Sequence, residues 1–169
     1  MASLPRIGSS RSSLSSRFRI AALGSIVATL SAGPALAALG GPLESVEADR
    51  AHMRAAAAPA LQMEGYTVHP MTLAGGGVVR EYADKNGVVF ALNWTAPGRP
   101  DLRQLLGEQH FADFQADNGV VRRVRTRRAM VTRRPDLVVH SGGRPGGFFG
   151  VAYIPSVVPP GFSAVDVQQ

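Results

Sequence analysis

The chain has 169 residues, with 18 lysines and arginines against 12 aspartates and glutamates, and no cysteine. The missing cysteine excludes disulfides, thiolate metal sites, thiol nucleophiles and redox pairs. A formal charge of +6 would suit a nucleic-acid partner, but the placement of that charge along the chain argues against one.

Residues 1–37 read as a cleaved secretory leader. Arg6, Arg11, Arg17 and Arg19 form a positive n-region, Ile20 to Leu30 is an apolar run of h-region length, and Gly33 and Pro34 break it. Ala35 and Ala37 put small side chains at the two positions a signal peptidase reads, so cleavage before Ala38 is expected. The apolar run falls short of the about 20 residues that cross a hydrocarbon core. No adjacent arginine pair precedes it and no cysteine follows it, which speaks against a twin-arginine signal and a lipid anchor. With four arginines in the leader, 14 basic residues remain against 12 acidic ones, a net of +2. The expected product is one exported domain, residues 38–169, periplasmic or secreted, with no transmembrane segment after processing and no nucleic-acid partner.

Pro42 to Ala58 has the composition of a helix. Glu44, Glu47 and Asp49 lie near its start and Arg50 and Arg54 towards its end, which suits the helix dipole. Val46, Met53 and Ala57 make a thin apolar stripe, the run Ala55 to Ala58 favours helix, and Pro59 stops it. From Tyr66 the pattern turns to strand. Tyr66 to Leu73 is interrupted by Pro70, which suits an edge or a bulge, and Gly75-Gly76-Gly77 is a turn. Val78 to Ala83 is a second strand, and Asp84-Lys85-Asn86-Gly87 a hairpin, since Asn and Gly tolerate positive φ. In a third strand, Val88 to Thr95, alternation puts Val88, Phe90, Leu92 and Trp94 on one face and Val89 and Ala91 on the other. A strand apolar on both faces is central and covered on each side, so Trp94 reads as core.

Pro97 and Pro100 end this meander. Asp101 is expected to cap a helix running to Asp117, with Gln104 completing a capping-box-like pattern. Leu102, Leu105, Leu106 and Phe114 form its apolar face, with Phe111 nearby, and Asn118-Gly119 closes it. Val120 to Thr132 mixes valines with arginines. Leu137 to His140 and Phe148 to Ile154 read as strands joined by a turn over Ser141 to Gly147, and the tail from Val157 reads as irregular. The expected fold is α+β: an antiparallel sheet of about five or six strands, one main helix packed on a face, and a weak N-terminal helix. Residues 38–65 form the helical N-terminal segment, 66–155 the core and 156–169 the tail.

The order and wording of these segments resemble a family of small exported proteobacterial proteins, domain of unknown function 2844. The matching pieces are ALGG at 38–41, SVEADR at 45–50, YTVH at 66–69, VREY at 79–82, GVVFALNW at 87–94, PDLRQLLG at 100–107, PDLVVHSGG at 135–143 and AYIP at 152–155. The resemblance implies an exported single domain and brings no catalytic residue with it.

The residues themselves offer little catalytic machinery. His52, His69, His110 and His140 fall in four separate segments without metal-ligand spacing, and His110 with Asp113 supplies only two ligands, so no metal or cofactor is expected. No G-x-S-x-G elbow occurs. Asp136, His140 and Ser141 are the right residue types for a hydrolase, but neighbours on a strand point to opposite faces, so Ser141-Gly142-Gly143 reads as turn chemistry. The glycines at 75–77 and 146–147 do not lead into helices, which argues against a phosphate cradle. Glu81 and Asp84 show no partner carboxylate in the sequence pattern.

The sharpest feature is the run from Arg122 to Arg128. As a strand it puts Arg123, Arg125 and Arg127 on one face and Arg122 and Arg128 on the other, with Arg133 and Arg134 following. Such a run is either a solvated edge that blocks sheet-to-sheet aggregation or a cationic surface gripping phosphate or carboxylate. It lacks the interleaved aromatics of a single-strand binder. The expected function is a non-enzymatic binding or assembly module of the Gram-negative envelope, its partner an anionic envelope component or an acidic protein. The alternative is a small periplasmic hydrolase with a site around His140.

Overall fold

The computed structural model describes residues 39–119, 129–163 and 167. The leader, the processing residues Ala35, Ala37 and Ala38, and the arginines from 122 to 128 lie outside the described residues. Among those described, no helix is long and apolar enough to cross a membrane.

The first helix, α1 (Glu44–His52), is about half the length expected. Met53 N–H donates to Asp49 O at 2.9 Å, Arg54 takes a left-handed φ of 51°, and Ala55 N–H turns back to Arg50 O at 2.9 Å. These bonds close the helix end before the alanine run. The alanines then form strand instead. β1 (Ala56–Ala57) pairs with Thr72 and Met71, and β2 (Leu61–Gln62) pairs with Val68 and Thr67. Helix propensity is a weak preference that tertiary pairing overrides, and here it loses to a sheet edge in need of partners.

β3 (Tyr66–Thr72), β4 (Val78–Asp84) and β5 (Val89–Ala96) form the expected meander. Pro70 sits on β3, whose outer side meets only the two short strands. The Asp84 carboxylate accepts the Asn86 and Val88 amides at 2.9 Å each, and Gly87 takes φ 77° to close the hairpin. The expected alternation along β5 fails at a bulge. Tyr82 faces Ala91 but Ala83 faces Val89, so the ladder skips Phe90. Phe90 therefore joins Ala91, Val68 and Tyr82 on one side of the sheet, while Leu92 and Trp94 point to the other with Val79 and Met71. Both sides are buried, as expected of a central strand.

The main helix, α2 (Leu102–Gly119), starts where expected: Asp101 Oδ1 accepts the Arg103 and Gln104 amides at 3.1 Å each. Gln104 does not complete a capping box, because its side chain reaches across to Asp49 at 2.5 Å. Gly107, at φ 80° and ψ 165°, interrupts the helix. β6 (Ala129–Arg133), β7 (Val138–Arg144) and β8 (Gly147–Tyr153) complete the sheet. Ser141, Gly142 and Gly143 belong to β7 rather than to a turn, and the hairpin turns at Arg144 to Gly147. Glycine at 150 is what lets the Trp94 ring lie across β8: a Cβ there would stand 2.1 Å from Trp94 Cζ2.

The order across the sheet is β1-β3-β4-β5-β8-β7-β6, with β2 also on β3, eight strands among the described residues and every pairing antiparallel. The two beyond expectation are β1 and β2. On one face, Met71, Val79, Leu92, Trp94, Val139 and Ala152 pack with Leu105, Leu106 and Phe114 of α2. On the other, Tyr66, Tyr82, Phe90 and Phe162 form an aromatic cluster whose tightest pair, Phe90 and Phe162, is edge-to-face at 4.9 Å. The irregular tail thus has a structural role: Phe162 and Val167 pack on this second face, and Val167 O accepts a hydrogen bond from Asn93 Nδ2.

Candidate functional site

The Pro97-Gly98-Arg99-Pro100 loop carries the chain from β5 to the Asp101 cap, and α2 then runs along the sheet. A groove of about 940 Å3 lies between α2 and β7, within the size range of small-molecule sites. Leu102, Phe111, Phe114 and Met130 give it apolar walls, and Ser141, Gly142 and Gly143 of β7 line the opposite side. Two guanidinium groups among the described residues border it. Arg99 lies over the Phe148 ring at 5.2 Å from its centroid, and Arg103 over Phe111 at 4.8 Å. Arg103 also pairs with Glu108. Arg99 has no carboxylate partner among the described residues.

Asp101, also on the groove, is already engaged. Burial works against its charge, but the Gln104 and Arg103 amides and His52, at 3.2 Å, hold its carboxyl below the ordinary value. Asn118 is equally committed. Its side chain donates to Phe114 O at 2.9 Å and Thr132 Oγ1 at 3.3 Å and accepts the Val131 amide at 3.2 Å, tying the end of α2 to β6.

The basic residues expected to bind divide into three groups. Arg122, Arg123, Arg125, Arg127 and Arg128 lie outside the described residues. Arg133 is exposed on β6. Arg134 is held between two α2 carboxylates, Asp113 at 2.6 Å and Asp117 at 2.8 Å, and its hydrogen bond keeps Asp117 below the usual carboxylate range. Its charge secures the β6–β7 connection to α2.

The hydrolase residues do not assemble. His140 faces Val131 and Val151, whereas Ser141 faces Met130 and Gly150 on the other side of the sheet, and Asp136 is exposed between β6 and β7. His140 Nε2 is buried without a hydrogen-bond partner, and burial, then the nearby Arg133, lowers its pKa. His110 turns its Nδ1 towards Leu106 O at 3.2 Å, apart from Asp113, which is occupied by Arg134. No group of three or more His, Asp or Glu that could hold a metal gathers among the described residues.

One polar cluster was not anticipated from the sequence. Asp49 and Glu81 are both 0% exposed. Asp49 projects from α1 and Glu81 from the middle of β4, in line with Val79 on the helix-covered face. No donor from another side chain reaches the two Glu81 oxygens among the described residues. Burial, followed by the charge of Asp49 and the hydrogen bond to it, pushes the Glu81 pKa up to about 9. Glu81 is therefore a neutral acid at pH 7. Opposite it in register on β3 stands His69, whose buried Nε2 lacks a partner and whose pKa burial lowers. The available signal was the alternation Val79-Glu81-Ala83, which places a carboxyl at an inward strand position. The cluster does not line the groove.

No curated protein and no solved structure matches the chain. A family model described as Protein of unknown function (DUF2844) matches residues 35–167, a span that takes in both helices and all eight strands. The chain belongs to that family, the one its motifs from ALGG to AYIP resemble.

Proposed function

We propose that the protein is an exported, non-enzymatic binding module that holds an anionic envelope component or an acidic protein through Arg122, Arg123, Arg125, Arg127, Arg128 and Arg133. The observation that carries this reading is where the arginine run is anchored. It follows Gly119 and precedes Met130, and both of these residues line the groove beside Arg99 and Arg103. The residues at the two ends of the run thus sit on the same groove as Arg99 and Arg103. Export is supported by the leader anatomy of residues 1–37. The separation of His140 from Ser141 favours binding over hydrolysis.

The test is retention of the protein on anionic vesicles and lipopolysaccharide at low and high salt, compared with the triple variant Arg123→Gln, Arg125→Gln, Arg127→Gln. Retention should be salt-sensitive and weaker in the variant. Equal retention of both proteins at both salt levels overturns the reading and leaves the edge-protection role, in which case the variant should aggregate more readily.

A further inference from the structure

We infer that the groove between α2 and β7 is a binding site for a single amphipathic anion: one carboxylate, phosphate or sulfonate head on an acyl or aromatic body. The inference rests on the binding-module reading but not on the arginine run. Three observations carry it.

The first is shape. The apolar groups are recessed between helix and strand, in a groove of about 940 Å3, so they can enclose one molecule but cannot project into a bilayer. A free amphiphile is therefore the occupant. The second is charge. Of the charged groups on the groove, Asp101 is held by backbone amides and His52, and Arg103 by Glu108. Arg99 alone has no opposite charge among the described residues. Its guanidinium stacks on Phe148, which leaves the N–H edge to grip an anion in two-pronged fashion. One uncommitted cation beside apolar walls calls for one anionic head with an apolar body.

The third is room. Gly142 and Gly143 present no side chains along the β7 wall. Gly143 must be glycine: it takes φ 122°, and a Cβ there would lie 2.2 Å from Gly147 O. The close approach of β7 and β8 thus keeps this wall open.

The experiment is calorimetric titration of the purified full chain with dodecanoate below its micelle concentration, with uncharged dodecanol and with acetate as comparators. Dodecanoate should bind saturably at one per chain, and acetate and dodecanol far more weakly. Arg99→Gln, on an exposed loop, should weaken dodecanoate binding about tenfold or more. Ser141→Leu, which fills the groove from β7, should abolish it while circular dichroism confirms the fold. Lys85→Gln, on the exposed β4–β5 hairpin away from the groove, should bind dodecanoate as the native protein does. Equal binding of dodecanol overturns the anion assignment. Binding that survives both Arg99→Gln and Ser141→Leu, or no dodecanoate binding at all, overturns the site. Either result leaves the arginine-run reading to be judged by its own vesicle assay.

Discussion

Replacing Glu81 by Gln should stabilise the protein above neutral pH and flatten its stability profile. Glu81 holds its proton up to about pH 9 in the folded chain, against 4.5 for the ordinary carboxyl. Below 4.5 both states are protonated and the buried acid costs nothing in charge. As pH rises the unfolded chain releases its proton first, so each pH unit between 4.5 and about 9 removes about 1.4 kcal/mol from the native state. By pH 7.5 the accumulated loss is about 4 kcal/mol, large beside the about 5–15 kcal/mol that holds a typical domain together. Glu81→Gln keeps the shape, removes the titration, and gives Asp49 an amide donor in addition to Gln104. His69 and His140, whose pKa values are lowered, act in the opposite sense: their contribution is present above about pH 6.5 and lost as pH falls. They are common to both proteins and cancel in the comparison. Urea denaturation of the native and variant proteins at pH 5, 6, 7 and 8 measures the difference directly. The stability gap should widen with pH in favour of the variant. Parallel profiles would refute the raised pKa of Glu81.

Trp94, 1% exposed beneath α2, should cost about 3–5 kcal/mol on replacement by Ala, read as a shift in the denaturation midpoint. Asn118→Ala leaves the Val131 amide without its acceptor and should cost about 1–3 kcal/mol, with hydrogen exchange rising first along β6. N-terminal sequencing of the exported protein should begin at Ala38, and an intact Met1 in a membrane fraction would refute the leader. The triple arginine variant should fold almost as the native protein does, with each surface change worth no more than about 0.5 kcal/mol.

What could be read from the sequence was local chemistry. Asp101 caps α2, Asp84 and Gly87 close the hairpin, and Trp94 is buried, because each outcome depends on residues within a few positions or on one strongly apolar strand. The failures depended on distant partners. Ala56 and Ala57 pair with Thr72 and Met71 because β3 has a free edge there, which the helix propensity of an alanine run does not register. Phe90 changes faces because Ala83 pairs with Val89 rather than with Phe90, a slip visible only in the ladder. Gln104 had a local use as a capping residue and took a distant one at Asp49. The buried acid was half legible: Glu81 occupied an inward position of its strand, but its partner lay 32 residues earlier, on a helix whose acids suited the macrodipole equally well.

The first turn of α2 explains why these separate features coexist. Asp101 fixes its start, Gln104 points inward to Asp49 and so ties α2 to α1, and Leu102 and Arg103 line the groove. Adjacent residues on a helix point about a quarter-turn apart or more, so one turn can serve a buried acid pair on one side and an open groove on another. The placement of Glu81 makes sense on the same terms. An apolar residue there would set an apolar surface against the Asp49 carboxyl, whereas a neutral carboxyl offers it a polar neighbour without adding charge to the core. The polar contacts from β4 through α1 to α2 thus lie on one side of the first turn of α2, and the groove lined by Ser141 to Gly143 on another.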